Sequence, residues 1–117
     1  PDVWLLADYG LAPLLEVPLA NGRRADAMAL SSGGQIWIVE TKSCTDDYIV
    51  DQKWPDYLEY CDRFFFAVPE SFPLELIPDH AGLIVADSFG GAIVREAPIR
   101  VLASARRKAA TLTFARI

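Results

Sequence analysis

The apolar positions of this chain fall first at every second residue, then at helical spacing, then in unbroken blocks. Residues 14–19 (Leu-Leu-Glu-Val-Pro-Leu) read as a strand, with Pro18 marking an edge or an end because proline cannot donate to a ladder. Asn21-Gly22 is a two-residue hairpin signal. Residues 23–31 form the second strand, Ser31-Ser32-Gly33-Gly34 a second tight turn, and residues 35–42, rich in Ile, Val and Trp, the third strand. The pattern predicts a three-stranded antiparallel meander. Ahead of it, residues 2–9 read as the end of a helix stopped by Gly10.

The period then changes. Val50, Trp54, Tyr57, Leu58 and Cys61 recur at helical spacing, which predicts a helix over 46–61 with Trp54 on its buried stripe. Pro55 either kinks this helix or starts a second segment. Asp46-Asp47 reads as a cap. Residues 63–68, including Phe64, Phe65 and Phe66, form an apolar block that suits a buried strand. A Pro-rich stretch with a short helical turn follows, over 69–78. Strands at 82–86 and 91–95 flank a turn that takes in Asp87, and residues 101–110 predict a last helix. The order α-β-β-β-α-β then β-β-α gives an α/β (α+β) class, a mixed central sheet flanked by helices. A helix joins strands three and four, so they should be parallel with a right-handed crossover.

Composition narrows the class without changing it. The 117 residues are half hydrophobic and 23% charged, which fits one globular domain, 1–117. No apolar run nears the ~20 residues that span a bilayer, and the N-terminus lacks signal-peptide order, so a cytoplasmic protein is expected. Pro1 stands where a Met would, so the first helix is expected to be truncated. Cys44 and Cys61 fit no zinc spacing and read as thiols. His80 sits in a turn-like stretch and reads as solvated; a single His argues against zinc or a His-based triad. The net charge of −5 argues against non-specific nucleic-acid binding unless charge is segregated. It partly is, at Arg23-Arg24 and at Arg106-Arg107-Lys108.

Candidate chemistry lies in the meander. Asp26 interrupts the apolar second strand, and Glu40-Thr41-Lys42 ends the third. Residues two apart on a strand share a face, so Glu40 and Lys42 project together, and hairpin pairing lets Asp26 join them. Two carboxylates and an ammonium at a sheet edge suit a divalent metal and a phosphate. The competing reading is a solvated Asp26 beside a surface Glu40–Lys42 ion pair, worth about 0–1 kcal/mol. The scarcity of lysines, the apolar run before Glu40 and the cost of an unpartnered carboxylate in an Ala/Met/Leu strand favour convergence.

The element order, with Asp in the second strand and Glu-x-Lys in the third, resembles the PD-(D/E)XK restriction-endonuclease-like superfamily; thirteen residues separate Asp26 from Glu40. Four longer strings, Arg-Arg-Ala-Asp-Ala-Met-Ala-Leu, Ile-Trp-Ile-Val-Glu-Thr-Lys-Ser, Asp-Gln-Lys-Trp-Pro-Asp-Tyr and Tyr-Cys-Asp-Arg-Phe-Phe-Phe-Ala-Val, are similar to the MmcB family of bacterial DNA repair proteins, from about Leu15 to Arg116. The resemblance implies a role in DNA repair and a nuclease-like core. Three departures stand out. Ala25 replaces the motif's proline. The first helix offers only Asp2 and Asp8 as its acid, which makes Glu16 the substitute. The Gln-x-x-x-Tyr submotif is not met, since Asp56 stands four residues after Gln52 and Tyr57 one later.

The expected chemistry is phosphodiester hydrolysis of DNA with Mg²⁺, or Mn²⁺ in its stead. Asp26, Glu40 and Lys42 are the catalytic set. Asp26, Glu40 and the Thr41 carbonyl are the metal ligands, with Glu16 as a further acid. Ser43, Gln52 and Lys53 are placed near the phosphate. Arg24, on the face of Asp26, and Arg106, Arg107 and Lys108 are placed on the DNA backbone. The alternative for the last three is compensation of the dipole at a helix C-terminus. Partners are DNA and other repair proteins, with no membrane. The alternative to a nuclease is a non-catalytic DNA-binding or scaffold module that keeps the fold.

Overall fold

The computed structural model describes residues 10–50, 53–87 and 90–116. The helix expected at 2–9 lies outside them, as do Gln52 and the middle of the turn after Asp87. The strands are β1 (Ala12–Pro18), β2 (Arg24–Leu30), β3 (Ile36–Thr41), β4 (Arg63–Val68), β5 (Gly82–Asp87) and β6 (Gly90–Arg95). They form a six-stranded sheet in chain order. β1, β2 and β3 are antiparallel; β3, β4 and β5 are parallel; β6 returns antiparallel to β5. The parallel pairing of β3 with β4 is the one the intervening helical period predicts. Asp87, expected in the turn, is the last paired residue of β5.

Both meander turns are longer than two residues. Gly22 N–H donates to Leu19 O and Leu19 N–H to Arg23 O; Gly34 N–H and Ser31 N–H repeat the pattern with Ser31 O and Gln35 O. Gly22 and Gly34 carry φ of 85° and 84°, while Asn21 stays out of the left-handed region. A two-residue type I′ loop needs positive φ at both central residues; these loops need it only at the glycine.

The helical stretch expected at 46–61 is two pieces, α1 (Thr45–Val50) and a 3-10 helix (Trp54–Tyr60). Pro55, lacking an N–H, sits in the first turn of the second piece, where a helix has no use for that donor. Asp46 and Asp47 lie inside the first turn of α1. A one-turn 3-10 helix, Leu74–Leu76, lies in the Pro-rich stretch. The last helix, α2 (Ser104–Ala115), starts three residues later than expected and runs longer. Leu102 is buried ahead of it, and Ala, Arg and Lys then favour helix. Arg106, Arg107 and Lys108 therefore stand near the N-terminus of α2, which rules out dipole compensation at a C-terminus as their role.

The sheet has two unlike faces. One carries Met28, Ile36, Ile38, Phe64, Phe66 and Val68, and against it pack Tyr48 of α1, Trp54, Tyr57 and Leu58 of the 3-10 helix, and Phe114 of α2. Trp54 stacks on Phe64 at 5.5 Å, and Phe64 meets Phe66 edge-on. The other face is built from Ala27, Ala29, Val39, Phe65, Ala67 and Ile84, with Trp37 stacked on Phe65 at 4.9 Å. Full burial of each large apolar side chain is worth about 1.5–3 kcal/mol. Glu40 follows Ile36 and Ile38 on the helix-covered face.

Candidate functional site

The β2–β3 ladder ends at Ala27↔Val39, one pair short of Asp26 and Glu40. Beyond it the strands fork, and side chains take over from the ladder. Asp26 N–H donates to Glu40 Oε2 at 2.7 Å, and Thr41 N–H donates to Asp26 Oδ2 at 3.0 Å. Each carboxylate thus accepts a backbone N–H on the opposite strand. Strand alternation predicts the meeting of the pair; the reciprocal bonding has no sequence signal.

Their surroundings differ. Asp26 is exposed, whereas Glu40 is 4% exposed. Burial pushes the Glu40 carboxyl from 4.5 up to about 7; the bond from Asp26 N–H opposes the rise, and the Asp26 charge adds to it. The Tyr57 side chain also opposes the rise. Its hydroxyl donates to Arg24 O at 3.0 Å, which anchors the 3-10 helix to β2 just before Asp26. Spacing alone puts Tyr57 on the apolar stripe, and its one other cue in the sequence is its place five residues after Gln52.

Glu16 falls between Leu15↔Ala27 and Val17↔Ala25, hence across from Asp26, where β1–β2 pairing breaks. Its φ of 52° is the left-handed region, costly for a residue with a Cβ. Among the described residues no three His, Cys, Asp or Glu side chains gather as a metal-ligating group, so the site has two carboxylates rather than three. Two oxygen donors with a shared neighbourhood still fit Mg²⁺, which is commonly held by one or two carboxylates and keeps several waters. A cation there would also offset the facing of two carboxylates, one of them buried.

Lys42 is fixed by the continuing β3–β4 register, its N–H donating to Ala67 O at 3.0 Å. It is half-buried and lines a 270 Å³ cleft at the C-terminal ends of β3, β4 and β5, together with Thr41, Ser43, Pro69 and Asp87. Ser43 Oγ donates a short bond to Asp47; this bond, with the Lys42 charge as a lesser cause, holds the Asp47 carboxyl below its ordinary value. Lys53 is exposed at the start of the 3-10 helix, and Arg24 is exposed on β2.

The C-terminal basic residues stand away from the fork. Arg106 Nη1 bonds Glu59 at 3.1 Å and its guanidinium lies 4.4 Å over the Tyr60 ring. Arg107 forms a two-pronged pair with buried Asp62, at 2.9 and 2.5 Å, and donates to Gly34 O. Lys108 is exposed. His80, expected to be solvated, is exposed but stacks against Trp54 at 4.9 Å. Cys44 and Cys61 are free thiols, as expected. No helix among the described residues is long and apolar enough to cross a membrane.

No curated protein matches the chain. Among solved structures, a protein of unknown function from Silicibacter pomeroyi is similar, at 43% identity and a TM-score of 0.92, over 98% of this chain and 79% of that one. The family model for DNA repair protein MmcB-like matches residues 3–117. Nearly the whole length is covered, the forked strands included, and the chain belongs to the MmcB-like family of DNA repair proteins.

Proposed function

We propose that this protein is a metal-dependent DNA nuclease acting in repair, built on a restriction-endonuclease-like core. The observation that carries this is the β2–β3 fork, where Asp26 and Glu40 face each other across strands that have stopped pairing. Asp26, Glu40 and the Thr41 carbonyl hold Mg²⁺, with Mn²⁺ as a substitute. Bound there, the cation supplies the positive charge that polarises a phosphodiester and makes a water more acidic. Lys42, at the mouth of the neighbouring cleft, places a cationic side chain where charge builds on the phosphate. Arg24 and Lys53 flank the site and neutralise backbone phosphates, while Ser43 offers a hydroxyl. Family membership gives DNA repair as the setting and supports DNA as the substrate.

The test is cleavage of end-labelled branched, nicked and single-stranded DNA with Mg²⁺ or Mn²⁺, by wild type, Asp26→Asn and Lys42→Ala. Cleavage by wild type and its loss in both variants is expected. No cleavage by wild type, or equal cleavage by Lys42→Ala, removes the proposal.

A second reading, a non-catalytic DNA-binding or scaffold module, has its own support. Five arginines, Arg23, Arg63, Arg95, Arg106 and Arg107, pair with carboxylates inside the protein, on a chain of net charge −5. Five of the eleven Lys and Arg side chains are thus offset within the chain, which weakens its hold on DNA and suits a partner-dependent protein. Under this reading wild type and Lys42→Ala bind DNA alike and neither cuts.

A further inference from the structure

The two edges of the sheet are built differently. β1 carries Pro13 and Pro18, which cannot donate to a further strand, and its pairing breaks at Glu16, in a left-handed conformation. Prolines and bulges keep an edge from taking on another chain. β6 (Gly-Gly-Ala-Ile-Val-Arg) ends the sheet on the other side, and among the described residues no strand pairs its outer side. It has no proline. Its one charged side chain, Arg95, is drawn back onto the loop before β5, donating to Ile77 O, Pro78 O and Ala81 O at 3.2, 2.8 and 3.0 Å.

Beside that edge one face of β6 is open. Ile93 packs on the face of Phe65 and Ile84. Ala92, paired with Val85, and Val94 lie on the opposite face, where both are exposed, Val94 by 52%. With Val85, Gly90 and Gly91 they floor an open groove of 420 Å³, whose other lining residues are Glu70 and Asp87. Among the described residues that line it, two are acids and none is basic.

We propose that the β6 edge is a docking site for an extended segment of another protein, which adds a further strand to the sheet. Its apolar side chains lie on Val85, Ala92 and Val94, and its basic ones face Glu70 and Asp87. Main-chain hydrogen bonds to β6 give such a segment its hold, and the groove gives it side-chain preference. A second copy of this chain fits less well, because it would bring the Glu70 and Asp87 of two molecules, each of net charge −5, to one edge. The proposal does not depend on whether the Asp26–Glu40 pair holds a cation.

The probe is the peptide acetyl-Lys-Val-Thr-Val-Thr-Val-Lys-amide, titrated into the isotope-labelled chain while backbone amide shifts are read by NMR. Saturable shifts centred on Ala92 and Val94 are expected. Val94→Lys, at an exposed position that keeps the fold, is expected to bind about tenfold more weakly, as is wild type offered a peptide with glutamate in place of both lysines. Leu112→Lys, at an exposed apolar position on α2, is the control and is expected to match wild type. No saturable shift in wild type, shifts centred away from β6, or equal affinity in Val94→Lys overturns the proposal. Shifts of the β6 amides that grow with protein concentration before any peptide is added assign the edge to a second copy and overturn it too.

Discussion

Replacing Asp62 tests the ionic tie that fastens α2 to the sheet. The Asp62 side chain is 4% exposed and accepts four hydrogen bonds: from Ile36 N–H at 2.8 Å, Leu102 N–H at 3.2 Å, and both Arg107 Nη atoms. Its backbone adds Asp62 N–H to Ile36 O and Arg100 N–H to Asp62 O. One residue thus joins the start of β3, the segment before α2, and α2 itself. Asp62→Ala strands two backbone N–H groups, at about 1–3 kcal/mol each. It also frees Arg107, whose side chain is 35% exposed and regains water, so the ion pair adds only about 1 kcal/mol. A loss of about 3–7 kcal/mol is expected, a large share of the roughly 5–15 kcal/mol that holds a domain. Arg107→Ala leaves the carboxylate its two N–H donors and should cost about 1–2 kcal/mol.

The same residue sets an acid limb. Burial raises the Asp62 carboxyl, but the bonds from Arg107, Ile36 and Leu102 outweigh it and hold the carboxyl below its ordinary value. A carboxyl lowered in the folded state contributes stability that is fully present above its unfolded pKa, about 3.9, and is lost as pH falls through the folded value. Urea unfolding at pH 7 and at steps below pH 5 measures both effects. Asp62→Asn should lose stability at pH 7 and show a shallower decline in acid than wild type. An Asp62→Ala midpoint equal to wild type, or an Arg107→Ala loss larger than that of Asp62→Ala, refutes the reasoning.

Three further outcomes are expected. With chelator present, Glu40→Gln should raise stability at pH 8 and leave it nearly unchanged at pH 4.5. A carboxyl raised to about 7 on folding loses stability as pH climbs from its unfolded value, here about 3 kcal/mol, and equal gains at both pH values would contradict this. A thiol reagent at pH 8 should modify exposed Cys44 in the native protein and reach Cys61, buried and pushed up to about 12, only on unfolding; two fast thiols would contradict the fold. Gly82→Ala should lower the melting temperature by several degrees in a thermal scan, because its Cβ would fall 2.5 Å from the Phe65 ring and 2.8 Å from Ala97 N; an unchanged transition would refute that packing.

The meander was legible because Gly22 and Gly34 mark its turns, and β3 and β4 because they are rich in β-branched or aromatic side chains. The parallel step from β3 to β4 followed from the change of period between them. Alternation brought Asp26 and Glu40 to one face, and the structure has them bonded across the fork. Lys42, expected beside Glu40, instead lines the neighbouring cleft with Ser43, and its charge acts on Asp47. The role of Tyr57 was illegible because its hydroxyl bonds a backbone carbonyl, which leaves no trace in residue identity. The Asp62–Arg107 pair spans 45 residues, beyond any local pattern. One signal for it did exist. Asp62 stands with Arg63 between apolar Cys61 and Phe64, and the cost of a carboxylate at the edge of an apolar block pointed to a partner for it as it did for Asp26. The start of α2 was missed because Val101 and Leu102 look helical in sequence, while burial of Leu102 and its bond to Asp62 hold that stretch extended.

Glu40 and Asp62 are the two buried charged residues among those described, and they resolve the same problem in opposite directions. Asp62 has a guanidinium and two backbone donors and is held below its ordinary value. Glu40 has one backbone donor and a second carboxylate for a neighbour, and is pushed up to about 7. A fold under selection for stability alone would treat Glu40 like Asp62 or replace it with an apolar residue, since an incompletely paired buried carboxylate is costly. Here the unfavourable arrangement is built up further: Glu16 holds a left-handed conformation opposite Asp26, and the β2–β3 ladder stops one pair early. Strain and unbalanced charge gathered in one place support the proposal of a site kept for a bound cation, which would offset the two facing carboxylates.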